Sequence, residues 1–270
     1  MSAKSVSLRE ASAQLGLHYM TVYRHIRTGR LPAHRNGSTW EVDVADLARF
    51  TAGRRAPTGT RGRPVHARRV PDLAARLVEG DEAGAWTLVE SVSGAGATPQ
   101  AVYIDLFVPA LRRIGELWER GEIGIAEEHR ATVVMQRLVG RMGPRFRRPG
   151  RPRGTIVLGA PEGELHGLPT ALVADLLRVQ GFVVVDLGAN VPTDSFVDCV
   201  LRLPALAVGV AVTMPGRLPA ARRLVRALRR AGVRAPILVG GAGITEAEAT
   251  RIGADLWARD GDVAARLLAG

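Results

Sequence analysis

Cysteine is nearly missing from this sequence. The single Cys199 among 270 residues excludes an intramolecular disulfide. Long apolar runs are missing as well, so a role within a bilayer has no support, and no membrane partner is expected. Nothing near the N-terminus reads as a charged segment followed by an apolar signal region, and the expected compartment is the cytosol. What the chain does have is length and 46% hydrophobic residues, enough for more than one core. Its net charge of +11 is unevenly placed. Residues 1 to 70 hold 13 Lys and Arg against 4 Asp and Glu, a balance of +9, which leaves 24 against 22 for the remaining 200. Such a local excess is the electrostatic footprint of a nucleic-acid-binding module.

Helical periodicity in "SLREASAQLGLHYMTVYRHIRTGRLP" gives that basic end a shape. Ser7 is placed to cap a first helix with Glu10 closing the box, and Leu8, Ala11 and Leu15 share one face. Gly16 ends it. A second helix is predicted from about His18 to Arg27, with Val22 and Ile26 inward and Tyr19, Tyr23, Arg24 and Arg27 outward. Two short helices around a glycine turn suggest a helix-turn-helix. The following "LPAHRNGSTWEVDVADLARF" adds a hairpin turning at Asn36 and Gly37, then a closing helix. Over roughly the first fifty residues this module resembles the excisionase and MerR type of DNA-binding domain. In such a module the second helix enters the major groove of an operator duplex, with Thr21, Tyr23, Arg24 and Arg27 as base-reading candidates. Arg35 near the wing tip is assigned to phosphate. The module is expected over residues 1–53, followed by a flexible basic linker over 54–70, "RRAPTGTRGRPVHARRV".

From Pro71 the pattern is amphipathic and helical, with breaks near Gly80 and from Ser93 to Pro99, so a four-helix bundle is expected over 71–148. Val102, Leu106, Phe107, Leu111, Ile114, Leu117 and Trp118 form one apolar stripe, and Pro109 is expected to kink their helix. Gly121 and Gly124 then interrupt. This break places Trp118 at the end of one helix and Glu128 with His129 in the first turn of the next, so an aromatic plane, a carboxylate and an imidazole can gather at one end of the bundle. An interfacial Trp with a carboxylate favoured by the helix dipole would give the same pattern.

Past Arg151 the pattern changes. "TIVLGA", "FVVVDL", "LAVGVAV", "PILVG" and "ADLWA" alternate with helical stretches, which predicts a five-stranded parallel sheet with helices on both faces over 152–270. The fold class is therefore multidomain, α and α/β. Ligands of such sheets bind beyond the carboxyl ends of the strands, where strand order reverses. With a flavodoxin-like order, His166 in "GAPEGELHGLP", Thr213 and the pair Gly240 and Gly241 all face one crevice. Reading "VGGAGI" as a dinucleotide loop is weak, because it lacks the third glycine and opens the wrong strand.

Here the chain resembles the cobalamin-binding domains of the methionine synthase type. It reads Glu164-Leu165-His166-Gly167-Leu168-Pro169, then residues 170 to 210, then Ala211-Val212-Thr213, then residues 214 to 239, then Gly240-Gly241, and both separations match that family. The resemblance implies that His166 ligates cobalt from below in place of the cofactor's own base, with Glu164 holding its second nitrogen. It also implies that the base descends into a slot where Ala211 makes room and Gly240 and Gly241 allow close approach. The departures are Glu164 for Asp, Pro169 for Gly, and Ala211 and Thr213 for Ser and Leu. Pro169 fits the first turn of the next helix.

The bundle and the domain order resemble the CarH family of cobalamin-dependent light-sensing repressors. In that family a Trp is followed by nine residues and then Glu-His, as Trp118, residues 119 to 127, Glu128 and His129 are here. The resemblance implies that these residues cover the upper face of cobalt and make room for the adenosyl group of adenosylcobalamin. It implies a regulator rather than an enzyme, in which a ligand-dependent homo-oligomer grips operator DNA through several modules at once and releases it when photolysis removes the adenosyl group. Family members with a well-understood photocycle carry a histidine directly after the Trp; this chain carries Glu119, a harder partner for that ion. Two other readings stay open. One is a corrinoid protein that carries a methyl group between methyltransferases, against which stand the basic module and the absence of a cysteine cluster for a thiol-activating zinc. The other is a regulator whose sensor no longer takes its cofactor.

The assignment of the reading helix predicts that Arg24→Ala weakens operator binding far more than binding to random-sequence duplex, whereas Arg35→Ala weakens both alike. Equal losses on the two duplexes for Arg24→Ala, in a titration at fixed salt, would refute it.

Overall fold

The computed structural model describes residues 5–15, 19–27, 31–36, 39–55 and 68–269. The chain divides into two units, residues 1–135 and 136–270. Among the described residues no helix is long and apolar enough to cross a membrane.

The first unit opens with β1 (Ser5–Ser7), α1 (Leu8–Leu15), α2 (Tyr19–Arg27), β2 (His34–Asn36), β3 (Thr39–Asp43) and α3 (Val44–Arg55). The capping box forms as its residue types dictate: the Ser7 backbone N–H donates to Glu10 Oε2 at 2.8 Å, and the Glu10 N–H donates to Ser7 Oγ at 3.3 Å. Leu8, Ala11, Val22, Ile26, Leu31, Val42 and Leu47 close a small core. The expected hairpin is present, and β1 adds a third antiparallel strand in the order β1-β3-β2, too short to leave a pattern in the sequence. Glu41 of β3 ties the three strands together, accepting from Ser5 Oγ at 2.6 Å and Asn36 Nδ2 at 2.9 Å. Those two donors hold its carboxyl below the usual range. Tyr23 departs from the outward placement expected of it: it is half-buried and packs against the small core. The closing helix also runs past residue 53, the expected module boundary, to Arg55. Gly16 and residues 56–67, most of the expected linker, lie outside the described residues.

Helices α4 (Val70–Glu79), α5 (Glu82–Gly94), the single turn α6 (Pro99–Ala101), α7 (Val108–Glu119) and α8 (Ile125–Met142) follow. Gly80 stops α4 in the left-handed region at φ 81°, where Arg130 of α8 donates to the Val78 carbonyl at 2.8 Å and satisfies a helix end. Residues Val102–Phe107, between α6 and α7, are π-helical. Pro109 explains this, because it has no N–H to donate and its ring would collide with the carbonyl four residues back. Widening the preceding turn removes the collision, so the expected kink takes the form of a π stretch, with the Val108 N–H donating to Tyr103. The apolar stripe is buried at Val102, Leu106, Phe107 and Ile114, half-buried at Leu111 and Leu117, and exposed at Trp118. The division between units falls inside α8.

The second unit holds β4 (Thr155–Gly159), α9 (Leu168–Arg178), β5 (Val183–Asp186), α10 (Thr193–Arg202), β6 (Ala205–Ala211), α11 (Leu218–Arg230), β7 (Ile237–Gly240), α12 (Glu246–Ile252), β8 (Leu256–Ala258) and α13 (Gly261–Leu268). The sheet is parallel in the order β5-β4-β6-β7-β8, the expected flavodoxin-like arrangement. Helices α9 and α13 pack together on one face, α10, α11 and α12 on the other. Because both faces are covered, β4 and β7 are buried along nearly their whole length, which is why they read as unbroken apolar runs. The sheet reverses between β4 and β6, so the loops after these two strands meet at its carboxyl edge.

Gly241, just past β7, has φ 121°, and an added Cβ would fall 2.4 Å from the Val212 carbonyl oxygen. Gly241→Ala is therefore expected to cost about 3 kcal/mol, read from urea unfolding, from backbone strain and collision together. Gly216→Ala, where nothing lies within 4 Å, should stay within about 0.5 kcal/mol of the parent. Equal effects would contradict the packing described.

Candidate functional site

The loop leaving β4 is built by its own backbone. The Glu164 N–H donates to the Pro161 carbonyl at 2.9 Å, and the Ala160 N–H to the Gly188 carbonyl at 2.8 Å. Asn190, in the loop after β5, braces it from below. Its side chain accepts from the Gly163 N–H at 2.7 Å, and its own N–H donates to the Glu164 carbonyl at 2.8 Å. Asn190 adopts φ 54°, a conformation that asparagine tolerates better than most residues. Pro169 takes its expected place in the first turn of α9, whose N-cap is Gly167.

This scaffold sets three side chains against one another. Glu164 is fully buried, and its Oε1 lies 2.5 Å from His166 Nδ1. Its Oε2 accepts the backbone N–H groups of Thr213 at 2.8 Å and Met214 at 3.2 Å, both just beyond β6. The Thr213 hydroxyl stands 2.9 Å from the same His166 nitrogen. Burial alone would raise the Glu164 carboxyl. Hydrogen bonds from the His166 ring, the Thr213 backbone and hydroxyl, and the His166 backbone outweigh it and lower that carboxyl to about 2. Glu164 is thus ionised at neutral pH and can only accept, so the Nδ1 that faces it carries a proton, and in the neutral ring the lone pair lies on Nε2. The imidazole side chain is half-exposed, at 52%. A buried carboxylate thus orients a half-exposed imidazole at the edge of the sheet.

Beside it, an open groove of about 440 Å³ runs along the carboxyl edge of the sheet under α9 and α13, lined by Leu158, Pro169, Val173, Ala211, Gly240 and Gly241 among others. The lining is mostly apolar. Gly240 is needed here by the protein itself, since a Cβ would fall 2.4 Å from the Ala258 carbonyl oxygen on β8. Among the described residues no group of three His, Cys, Asp or Glu side chains could hold a metal ion. One oriented imidazole beside an apolar groove fits a metal that arrives with its other ligands already in place, as in a corrin, and does not fit a bare ion.

The remaining candidates lie in the first unit. Glu128 and His129 pair in the first turn of α8, Oε2 to Nδ1 at 2.8 Å, and Thr132 donates to Glu128 at 3.1 Å. His129 and Trp118 are exposed, Trp118 at the last turn of α7, so this end of the bundle presents an apolar plane and an imidazole to its surroundings. Thr21, Arg24 and Arg27 are carried by α2, and their side chains lie outside the described residues. Arg35 is exposed on β2 with its guanidinium 5.6 Å from the Trp40 ring. Sequence reasoning missed Asn190 and the double contact of Thr213. An asparagine two residues before Pro192, between β5 and α10, was a turn signal that could have found the first.

The depressed Glu164 carboxyl predicts a pH signature. The folded state holds this proton less tightly than the unfolded chain, so its contribution is complete above about pH 4.5 and fades as pH falls toward about 2. Glu164→Gln should lower the unfolding free energy by about 3 kcal/mol at neutral pH, with the gap from wild type narrowing through that window. A gap that stays constant between neutral pH and the lower end of the window would contradict the assignment.

Comparison with known proteins supports the same chemistry. Residues 154–269 match a family model described as a B12 binding domain, residues 71–142 match a second one described in the same words, and residues 6–55 match a helix-turn-helix domain. Trimethylamine corrinoid protein 1 of Methanosarcina acetivorans is 28% identical over 186 residues, 67% of this chain and 86% of that protein. Dimethylamine corrinoid protein 1 of Methanosarcina mazei is 30% identical over 159 residues, 56% of this chain and 71% of that protein. The structure of the monomethylamine corrinoid protein of Methanosarcina barkeri shares the fold at a TM-score of 0.66 and 21% identity, over 73% of this chain and 94% of that one. The chain belongs to the family of B12-binding corrinoid proteins and carries a helix-turn-helix domain ahead of its corrinoid-binding residues.

Proposed function

We propose that the chain is a DNA-binding transcriptional regulator whose signal is cobalamin, most specifically adenosylcobalamin. One observation carries this reading: a helix-turn-helix domain shares a chain with a carboxylate-fixed histidine at the edge of a B12-binding sheet. His166 would be the lower cobalt ligand through Nε2, with Glu164 and Thr213 holding the ring. Gly167, Ala211, Gly240 and Gly241 would accommodate the displaced base of the cofactor, and Trp118, Glu128 and His129 would act on the upper side. The bound group supplies a metal whose upper ligand can be lost in light. Residues of the chain do the rest: they hold the ring, shield the upper ligand, and favour an oligomer that grips an operator through several basic modules. Photoreception and repression are the finer parts of this reading, with Glu119 the departure that bears on the first.

A second reading is favoured by the relatives. Their names are those of trimethylamine and dimethylamine corrinoid proteins, and for the corrinoid-binding residues alone this favours a methyl carrier over a sensor. The helix-turn-helix domain is what the carrier reading leaves without a task.

Absorption spectra of the full chain reconstituted with adenosylcobalamin in darkness, then after green light, test the ligand assignment. His166→Ala is expected to return the spectrum of base-ligated cofactor, and a spectrum identical to wild type would remove the axial role. Selecting duplexes from a random pool with the same dark and lit samples separates the two readings. Enrichment of one motif that is lost in light supports the regulator. Methyl transfer from a partner protein, with no motif enriched, supports the carrier.

A further inference from the structure

A second basic island lies far from the helix-turn-helix domain in sequence. Residues 217 to 234, which contain α11, hold 7 Arg and no Asp or Glu; the rest of residues 71 to 270 then holds 17 Arg against 22 acidic residues. The island is positive within an otherwise slightly acidic region. The apolar side of α11, with Ala220, Ala221, Leu224, Val225 and Leu228, is buried. Arg229 is absorbed structurally, pairing with Asp255 and donating to the carbonyls of Val233 and Ala235. Arg222, Arg223, Arg226 and Arg230 are different. All four are exposed, and among the described residues none makes a hydrogen bond or ion pair.

Such a face costs stability. Arg222, Arg226 and Arg230 stand four apart, so each repels the next by a few tenths of a kcal/mol, with no acidic neighbour at helical spacing to offset it. The helix dipole favours cations only in the last turn, which leaves Arg222, Arg223 and Arg226 without that help. An external polyanion would relieve the repulsion. Successive guanidinium positions on this row rise about 6 Å apart, and the row extends about 12 Å along the helix. Duplex DNA offers one phosphate per about 3.4 Å of axis on each strand, so a row of this length can meet several phosphates at once. Arginine is also the side chain best shaped to grip phosphate oxygens.

We propose that the outer face of α11 binds duplex DNA through its phosphates, as a second and sequence-blind contact surface in addition to the helix-turn-helix domain. The inference rests on the DNA-binding reading above and deepens it: the corrinoid-binding part would itself touch the duplex. Such a contact adds affinity and salt dependence but no discrimination between sequences.

The test uses the full chain and a variant with Arg222→Gln, Arg223→Gln, Arg226→Gln and Arg230→Gln, titrated with long random-sequence duplex over a range of salt. The variant is expected to bind at least about tenfold more weakly at low salt, with a log–log salt slope shallower by about 3. The preference for an enriched motif over random sequence should be unchanged, and the four Arg→Lys substitutions should restore most of the slope. Identical slopes and affinities for wild type and the Gln variant would overturn the inference while leaving the DNA-binding reading intact. Wild type that binds no duplex at low salt would overturn both. A Gln variant that keeps its DNA affinity but loses binding to poly-glutamate would overturn it in favour of an acidic protein partner.

Discussion

A carboxylate with no access to water holds an imidazole that has it. Glu164 tolerates full burial only because each of its oxygens has donors, Oε1 from His166 and Oε2 from the backbone beyond β6. Leaving those donors unmade would cost several kcal/mol for a buried charge, so the loop after β4 and the loop after β6 are locked in one relative placement. That lock holds the ring and the proton on its Nδ1 together. Neither helical face of the sheet does this. Its strand order does, because only the reversal between β4 and β6 brings residues 164 and 213 side by side.

The glycines and small residues of the edge follow from the same constraint. Gly240 and Gly241 cannot carry a Cβ without striking the backbone of neighbouring strands, and with Ala211 they leave a groove where larger residues would leave none. The strands are packed tightly enough to require them, and the proposed function would use the space they leave for the tail of a cofactor.

Much of this was legible in the sequence, for identifiable reasons. The capping box of Ser7 and Glu10, the inward Val22 and Ile26, and the unbroken apolar strands are local patterns, and local patterns survive translation into structure. The pairing of Glu164 with His166 was legible because two residues in one loop cannot be far apart. Thr213 reaches the same nitrogen across a separation of 47 residues, which no spacing rule foretells for a hydroxyl. Asn190 braces the loop from another strand's turn, again a long-range contact. Tyr23 departs from its outward expectation because helical periodicity assigns a direction to Cβ and not to a long amphipathic ring. Pro109 marks a break in the helix, but its type alone does not say that the break takes the form of a wider turn.

The chain carries B12-binding domains and a helix-turn-helix domain, and in the proposed function their link would rest on one bond from His166 to cobalt. Electron paramagnetic resonance of the full chain loaded with cobalamin in its paramagnetic cobalt(II) state reports that bond directly, through the splitting imposed by the axial nitrogen. With histidine labelled by the heavy nitrogen isotope, the account predicts that this splitting changes from a triplet to a doublet, because His166 is the ligand. A splitting that stays a triplet in the labelled protein would mean that the cofactor's own base keeps the position, and the role given to the Glu164–His166 pair would be lost.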